Sequence, residues 1–535
     1  MALAIRASNN YHRQILTTAR FPILERPRIL MISWPPFHRL LLALSTLTLA
    51  VVAFSAGCAD DVDTGPSAGD ECDPGQSWDP IQGCVADSND RTPDGGNGDN
   101  GDGGSDDDND NDNNVNGSGY QPDCEGLQCN QVSCNPGETP ASISGTVTIP
   151  SGNLPLPDVT VYVPADLPLE APTEGASCEQ CGDQLSGIPL VETQTDLSGE
   201  FFLVDVPVGQ NIPLVIEVGK WRRQITVDTV EPCQNNPIED DSLTRLPSNS
   251  DEGEIPRIAV TTGGWDAMEC LVRKIGVDAS EFSTEDGDGR IHLFAGRGGT
   301  DAFADFLNAG QSFTDAWDWW DDLDNLLGYD IVIHSCEGSP NEDDKSQQAR
   351  EALQEFTELG GRAFLSHWHN IWLDEGPSDF QSVADWSGGG LTNDSQTGYI
   401  NTEFDKGEML YDWMYQTGTT PAGEFDINEA RATIGNLDSD IAQEWSWIES
   451  SGFLGGGDHT QQFSFNTPVG VDEDEQCGRV VFSEFHVVDG DNSSPSDPFP
   501  TGCTTGELTD QEKALVFLLF DLSRCITPDG KKPPQ

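Results

Sequence analysis

The feature that most constrains this chain is a long tract that cannot fold. From Ala59 to about Tyr120 the residues are nearly all Asp, Asn, Gly and Ser, and its centre reads DGGNGDNGDGGSDDDNDNDNNVNG. Such a segment has too little apolar surface to offset the entropy lost on ordering. It divides the 535 residues into a short N-terminal piece and a remainder that resumes folding near Ala141. Like-charge repulsion extends the tract, so it reads as a spacer. Its alternating Asp residues also suit Ca2+, as does Asp286-Gly287-Asp288-Gly289, but neither stretch has the closing Glu of an EF-hand loop.

The acidity is general. Against 92 Asp and Glu stand 26 Lys and Arg, a formal charge of −66, which argues against a nucleic-acid partner. With 36% apolar residues the chain still has material for two or three domains.

Residues 1–57 have the layout of a secretory signal, with Met31 as an alternative start. An apolar run, Leu40 to Ala56, follows His38-Arg39 and stops at Gly57-Cys58. It is short of the roughly 20 apolar residues that a membrane span requires. Ser55-Ala56-Gly57-Cys58 resembles the lipobox of bacterial lipoproteins, although that family usually has Leu where Ser55 stands. The resemblance implies lipidation at Cys58, a membrane partner reached through the lipid anchor, and export to the outer membrane or cell surface. Ala59 after the cysteine resembles lipoproteins passed on to the outer membrane.

Fourteen cysteines suit an oxidising compartment better than the cytosol. Removing Cys58 for lipid leaves an odd number, so one thiol stays free or pairs between chains. By proximity, Cys72 and Cys84 close a loop around Trp78, Cys124, Cys129 and Cys134 form a second knot, and Cys178, Cys181 and Cys233 a third set. Cys270, Cys477, Cys503 and Cys525 lie in the C-terminal half. The Cys178-Glu179-Gln180-Cys181 pair also admits a redox or half-zinc reading, but no second CxxC or HxxxH completes a zinc site.

The expected fold class is multidomain, a β-sandwich followed by a doubly wound α/β domain with an insertion. After the spacer of residues 58–139, residues 140–250 carry short β-branched runs of period two. These are Ile143 to Ile149, Val159 to Val163, Glu200 to Leu203, Leu214 to Val218 and Gln224 to Val227, the pattern of an antiparallel sandwich. The phrases SGTVTIPSGNLPLPDVTVYVP, TDLSGEFFLVDVPVG and IPLVIEVG resemble the carboxypeptidase regulatory-like, transthyretin-like domain. That family is usually non-catalytic and carbohydrate-binding-like, so the resemblance implies no peptidase. No HExxH ligand set is present.

Residues 255–528 alternate strand and helix, with an insertion at about 386–475. Arg257 to Val260, Ile291 to Phe294, Tyr329 to His334, Arg362 to Ser366 and Arg479 to Val487 read as buried strands. Helices are expected at Met268 to Ile275, Ser346 to Leu359 and Thr509 to Cys525, the last with a Thr509/Glu512 capping box. Within the insertion the spacing of Ile441, Trp445 and Ile448 predicts one more helix. Buried strands separated by helices argue for a parallel sheet, whose ligands sit at the carboxyl ends of the strands. Those ends carry Gly263-Gly264, His334-Ser335-Cys336-Glu337-Gly338 and Ser366-His367-Trp368-His369.

The order strand, small loop, helix, Gly-Gly, strand, His resembles the class I glutamine amidotransferase-like fold and its ThuA-like branch. The amidotransferase nucleophile follows the strand after Gly-Gly, which here presents Ser366-His367. Cys336 falls in the preceding loop, so the resemblance implies no cysteine nucleophile at the family's position. Candidate catalytic residues are His367, His369, His486, Glu484 and Cys336, and candidate binding residues are Trp368, His334 and Glu337. The histidines and carboxylates could form an acid/base site, and a divalent metal is possible although no cofactor is required. The bland alternative is that imidazoles at strand ends bond to backbone and that the tryptophans pack the core.

The order of lipobox, spacer and sandwich, with GKWRRQITV, ECLVRKIG, YDIVIHSCEG and CGRVVFSEFHV, resembles uncharacterised myxobacterial surface lipoproteins. Some of these bear names such as tryptophan synthase alpha chain or carboxypeptidase, which the residues do not support. The function expected is non-catalytic binding of an extracellular ligand, with glycan as the candidate. The alternatives are a ThuA-like enzyme acting on sugars through the histidine-rich face, or a structural role in the envelope.

Overall fold

Alternation of apolar and polar residues is clearest in Glu200–Val204, where Phe201 and Leu203 are buried and their neighbours exposed. This strand pairs with Ser142–Thr146, which pairs in parallel with Asn235–Pro237. A second sheet runs in the order Pro189–Gln194, Thr160–Pro164, Gly209–Val218, Trp221–Val230, antiparallel throughout. The two sheets share one core that includes Ile143, Val161, Leu203, Leu214 and Trp221. At the turn into Glu200–Val204, the Asp196 carboxylate accepts from Ser198 N at 2.8 Å and Glu200 N at 2.9 Å. Gly199 there has φ +70°, and a Cβ would lie 2.3 Å from the Val147 carbonyl oxygen, so glycine is required.

The structure is a computed structural model. It describes residues 124–527 apart from 183–184, 388–389, 391–394, 420–422, 451–456, 488–495 and 505, and, upstream, an antiparallel pair of strands, Gln76–Asp79 and Gly83–Ala86. The leader, Cys58, the acidic tract and Cys72 lie outside the described residues, and the side chains of the upstream strands are not described. Among the described residues no helix is long and apolar enough to cross a membrane.

In the C-terminal half four short apolar strands, β1 (Ile258–Thr261), β2 (Ile291–Ala295), β3 (Ile331–His334) and β4 (Arg362–Ser366), are buried on both faces. The chain then adds β5 (Gln396–Ile400), β6 (Glu424–Ile427), β7 (Ala442–Ser450) and β8 (Gly457–Thr467) before β9 (Gly478–Ser483). The sheet runs β2-β1-β3-β4-β9-β8-β7-β5-β6, with Phe282–Ser283 and Thr314–Asp315 on β2. Pairing is parallel from β2 to β9 and antiparallel from β9 to β6. The five parallel strands therefore follow the flavodoxin order, whose switch point lies between β1 and β3.

Successive residues on these strands face different cores. Ile258, Val260, Ile331, Ile333, Phe364 and Val481 join the apolar cluster that contains the helices Met268–Lys274 and Asp510–Leu522. Ala259, Val332, Ala363, Leu365, Val480 and Phe482 join a second cluster beneath the helix Gln347–Glu358. The first cluster runs on into the sandwich, so the two β-rich layers bury a common core. Thr509 accepts from Glu512 N and the Glu512 carboxylate bonds back to Thr509 N, completing the capping box.

Two expectations are corrected. The segment of Trp445 and Ile448 is strand β7 and not a helix. Its pairing with β8 shifts register between Glu444 and Ser446 and again between Ser446 and Trp447, and this bulge places Trp445 and Ile448 both in the core. Cys134 leaves the expected knot with Cys124 and Cys129, and Cys178, Cys181 and Cys233 form no set of their own. The bonds are Cys124–Cys129, Cys134–Cys233, Cys178–Cys477, Cys181–Cys525 and Cys270–Cys503. The CxxC cysteines thus tie the sandwich to the start of β9 and to the end of the last helix. Disulfides of this number mark an exported chain.

Candidate functional site at the carboxyl ends of the parallel strands

Strand β1 ends at Thr261-Thr262-Gly263-Gly264. A Cβ on Gly263 would sit 2.2 Å from the Cys336 carbonyl oxygen, so the loops after β1 and β3 can touch only because a side chain is missing. Trp265 N donates to that carbonyl at 3.1 Å, and the Trp265 side chain lies 58% exposed on the rim. The sequence-predicted residues gather behind this rim in two groups.

In the first, Cys336 Sγ lies 3.3 Å from His367 Nδ1 and accepts from Gly338 N at 3.3 Å. His486, three residues past β9, brings its ring centroid within 4.8 Å of the His367 ring. All three side chains are buried. Glu429 lies outside both imidazoles, its carbonyl bonded to His367 Nε2 at 3.3 Å and its carboxylate 3.4 Å from His486 Nε2. His367 and Glu429 both have left-handed backbones, with φ of 52° and 55°. For residues with a Cβ that conformation costs of order 1–3 kcal/mol and is retained where the surroundings demand it. Burial pushes the Cys336 thiol up to about 12, with the Asp266 carboxylate adding to the effect. Burial pushes His486 down to about 4 and His367 well below the ordinary imidazole range. The group therefore consists of a neutral thiol and two neutral imidazoles.

The second group is a packed stack. His334 lies 4.9 Å from Trp372 with the rings 9° from parallel, and 5.4 Å from His369. His369 Nε2 donates to Ser335 O at 2.8 Å, and His369 Nδ1 accepts from Trp372 Nε1 at 2.7 Å. Both nitrogens of His369 are thus committed. His334 Nδ1 is bonded to Thr261 Oγ1 at 3.1 Å.

Two of the predicted carboxylates brace loops. Glu337 accepts from Lys345 Nζ at 2.6 Å, Asn341 Nδ2 at 2.9 Å and Arg297 N at 2.9 Å, locking the loops after β2 and β3 together. Glu484 accepts from the Thr433 amide at 2.6 Å and from the Thr433 hydroxyl, and burial raises its carboxyl above the usual range. Trp368 carries the Arg431 guanidinium 3.7 Å above its ring.

Sequence reasoning missed Asp266, Glu429 and Arg431. Asp266 bonds the Ser366 hydroxyl and accepts from Val487 N at 3.0 Å, so it ties β4 to the segment after β9. Its place just after the Gly-Gly end of β1 was a usable signal. Arg431 donates to His367 O at 2.9 Å and Asn370 Oδ1 at 3.2 Å. Arg431 and Glu429 lie in a stretch with no periodicity to mark them.

No family model and no curated protein matches the chain. Among solved structures, a ThuA-like protein from Bacteroides uniformis is similar at 13% identity over 50% of this chain and 91% of that one, with a TM-score of 0.28. Two cohesin–X-dockerin complexes from Acetivibrio cellulolyticus are similar over smaller shares. One has 14% identity, covers 26% of this chain and 85% of that one, and has a TM-score of 0.15. The other has 13% identity, covers 28% and 79%, and has a TM-score of 0.14. Likeness of this degree says nothing about activity.

Proposed function

We propose that this is an exported surface protein, lipid-anchored at Cys58, that presents a carboxypeptidase regulatory-like sandwich and an amidotransferase-like, ThuA-like α/β layer. In this reading the α/β layer binds an extracellular ligand at the carboxyl ends of β1, β3 and β4 and does not turn it over. The observation that carries it is the state of the would-be machinery. Cys336 is wholly buried with its thiol pushed up to about 12, and a nucleophile must be an accessible thiolate. His369 already spends both ring nitrogens on the Ser335 carbonyl and the Trp372 indole, and Glu484 gives one carboxylate oxygen to the Thr433 amide and hydroxyl.

The rim above them suits a polyhydroxylated ligand. Trp265 is exposed, and Trp368 is partly exposed with a guanidinium on one face, which is how aromatic platforms accept sugar rings and their hydroxyls. The test is a glycan array probed with the full mature chain. Binding that Trp265→Ala and Trp368→Ala each weaken at least tenfold, with circular dichroism unchanged, supports the reading. Turnover of any bound glycan by the wild type refutes it. Loss of metabolic palmitate labelling in Cys58→Ser tests the anchor separately.

A further inference from the structure

Beyond ligand binding at the rim, we propose that Cys336, His367 and His486 bind one zinc ion, with Glu429 orienting both imidazoles from outside the coordination sphere. One ligand atom from each of the three residues can be chosen so that all lie within 4.8 Å of one another. A tetrahedral zinc with a Zn–S bond near 2.3 Å and a Zn–N bond near 2.0 Å sets sulfur and nitrogen about 3.5 Å apart. The Cys336 Sγ to His367 Nδ1 separation of 3.3 Å is already close to that value.

The contacts select the ligand atoms. His367 Nε2 is bonded to the Glu429 carbonyl and His486 Nε2 lies 3.4 Å from the Glu429 carboxylate, which leaves Nδ1 of each ring for a metal. His486 Nδ1 is buried and has no hydrogen-bond partner, an orphan that a metal bond would satisfy. Metal-bound histidines characteristically give their other nitrogen to a carboxylate or a carbonyl, and Glu429 supplies one of each. The sulfur has support of its own, since Gly338 N and the Trp368 backbone both bond to it and would stabilise a thiolate.

Binding forms the Zn–S bond as the S–H bond breaks, and the thiol proton leaves to solvent. The two imidazoles donate their Nδ1 lone pairs and stay neutral. The charge of Zn2+ is then matched by one thiolate and by the Glu429 carboxylate. The Arg431 guanidinium, held by the His367 carbonyl, Asn370 and the Trp368 ring, disfavours positive charge at His367 but favours a thiolate at Cys336. Glu429, whose side chain is 40% exposed, stands between the site and solvent, so a water completes the fourth position on its side. The ion would clamp the ends of β3, β4 and β9 to the loop of Glu429.

The zinc site does not depend on the rim's binding a glycan. The experiment uses the full mature chain with its disulfides intact, stripped with a chelator and titrated with Co2+ as a probe. One equivalent should produce sulfur-to-cobalt charge transfer and the strong visible bands of tetrahedral cobalt, displaced by one equivalent of zinc. Glu429→Gln should weaken binding by about tenfold or more. Because Cys336 is wholly buried and a Cys336→Ser chain need not fold, X-ray absorption of the zinc-loaded wild type is measured as well and should show one sulfur and two imidazole nitrogens. Cys336 is the free cysteine among the described residues, the other described ones being in disulfides. Absence of thiolate-bound cobalt in the folded wild type, or metal held only by oxygen on the acidic surface, overturns the proposal.

Discussion

Opening the Cys178–Cys477 bond by a Cys178→Ser/Cys477→Ser double substitution tests how the two β-rich layers are held together. Cys178–Cys477 and Cys181–Cys525 close 299 and 344 residues of chain. In the chain-entropy treatment a lone bond across such a loop removes about 6 kcal/mol of unfolded-state freedom. The two bonds are not independent. With Cys181–Cys525 intact, the path from Cys178 to Cys477 runs only through the short CxxC link and the segment from Cys477 to Cys525, roughly fifty residues. That shorter loop corresponds to about 4 kcal/mol. The double variant should therefore lose about 4 kcal/mol, and removal of both bonds about 9 kcal/mol, because Cys270–Cys503 shortens the second loop to roughly 110 residues. Urea unfolding followed by tryptophan fluorescence measures both, and the two losses must differ from each other as the loop lengths require. Non-reducing peptide mapping must show Cys178 joined to Cys477 and Cys181 to Cys525. A Cys178–Cys181 bond in the mature protein, or a loss below about 1 kcal/mol in the double variant, would refute the reasoning and revive a redox role for the CxxC pair.

Two further outcomes follow from buried charge. Lys345 and Glu337 are each 1% exposed at the side chain, so Lys345→Met strands a buried carboxylate and should cost about 3–5 kcal/mol of unfolding free energy in urea titration. A shift under about 1 kcal/mol would show that Asn341 and the Arg297 amide hold Glu337 without the cation. Asp521 is buried, which alone would raise its carboxyl, but Lys406 at 3.0 Å and Arg479 at 2.8 Å bring it down to about 2. A folded-state value below the unfolded one stabilises above about pH 4 and is lost as pH falls toward 2. The stability difference between wild type and Asp521→Asn, about 2–3 kcal/mol at neutral pH, should therefore shrink across that window in acid titration. A pH-independent difference would exclude the ion pairs as its source.

How far the residues foretold the molecule depended on the distance over which each feature is decided. Apolar runs such as Ile331–His334 announced buried strands, and Thr509 with Glu512 announced a helix start, because both depend on neighbours a few positions away. The segment of Trp445 and Ile448 misled because a bulge in β7 puts residues three apart on one face, a spacing that a straight helix also produces.

Local chemistry alone thus settled the apolar runs of the parallel strands, the helix cap and the presence of histidines at strand ends. It could not pair the sulfurs, since proximity along the chain says nothing about which cysteines meet. Nor could it tell that His369 and Glu484 are committed to structural bonds while Cys336, His367 and His486 face one another. Those three sit past the ends of β3, β4 and β9, and they converge only because these strands lie side by side in the sheet. Strand order is chosen by burial of both faces against two cores, a property of the whole fold that no short stretch of residues contains.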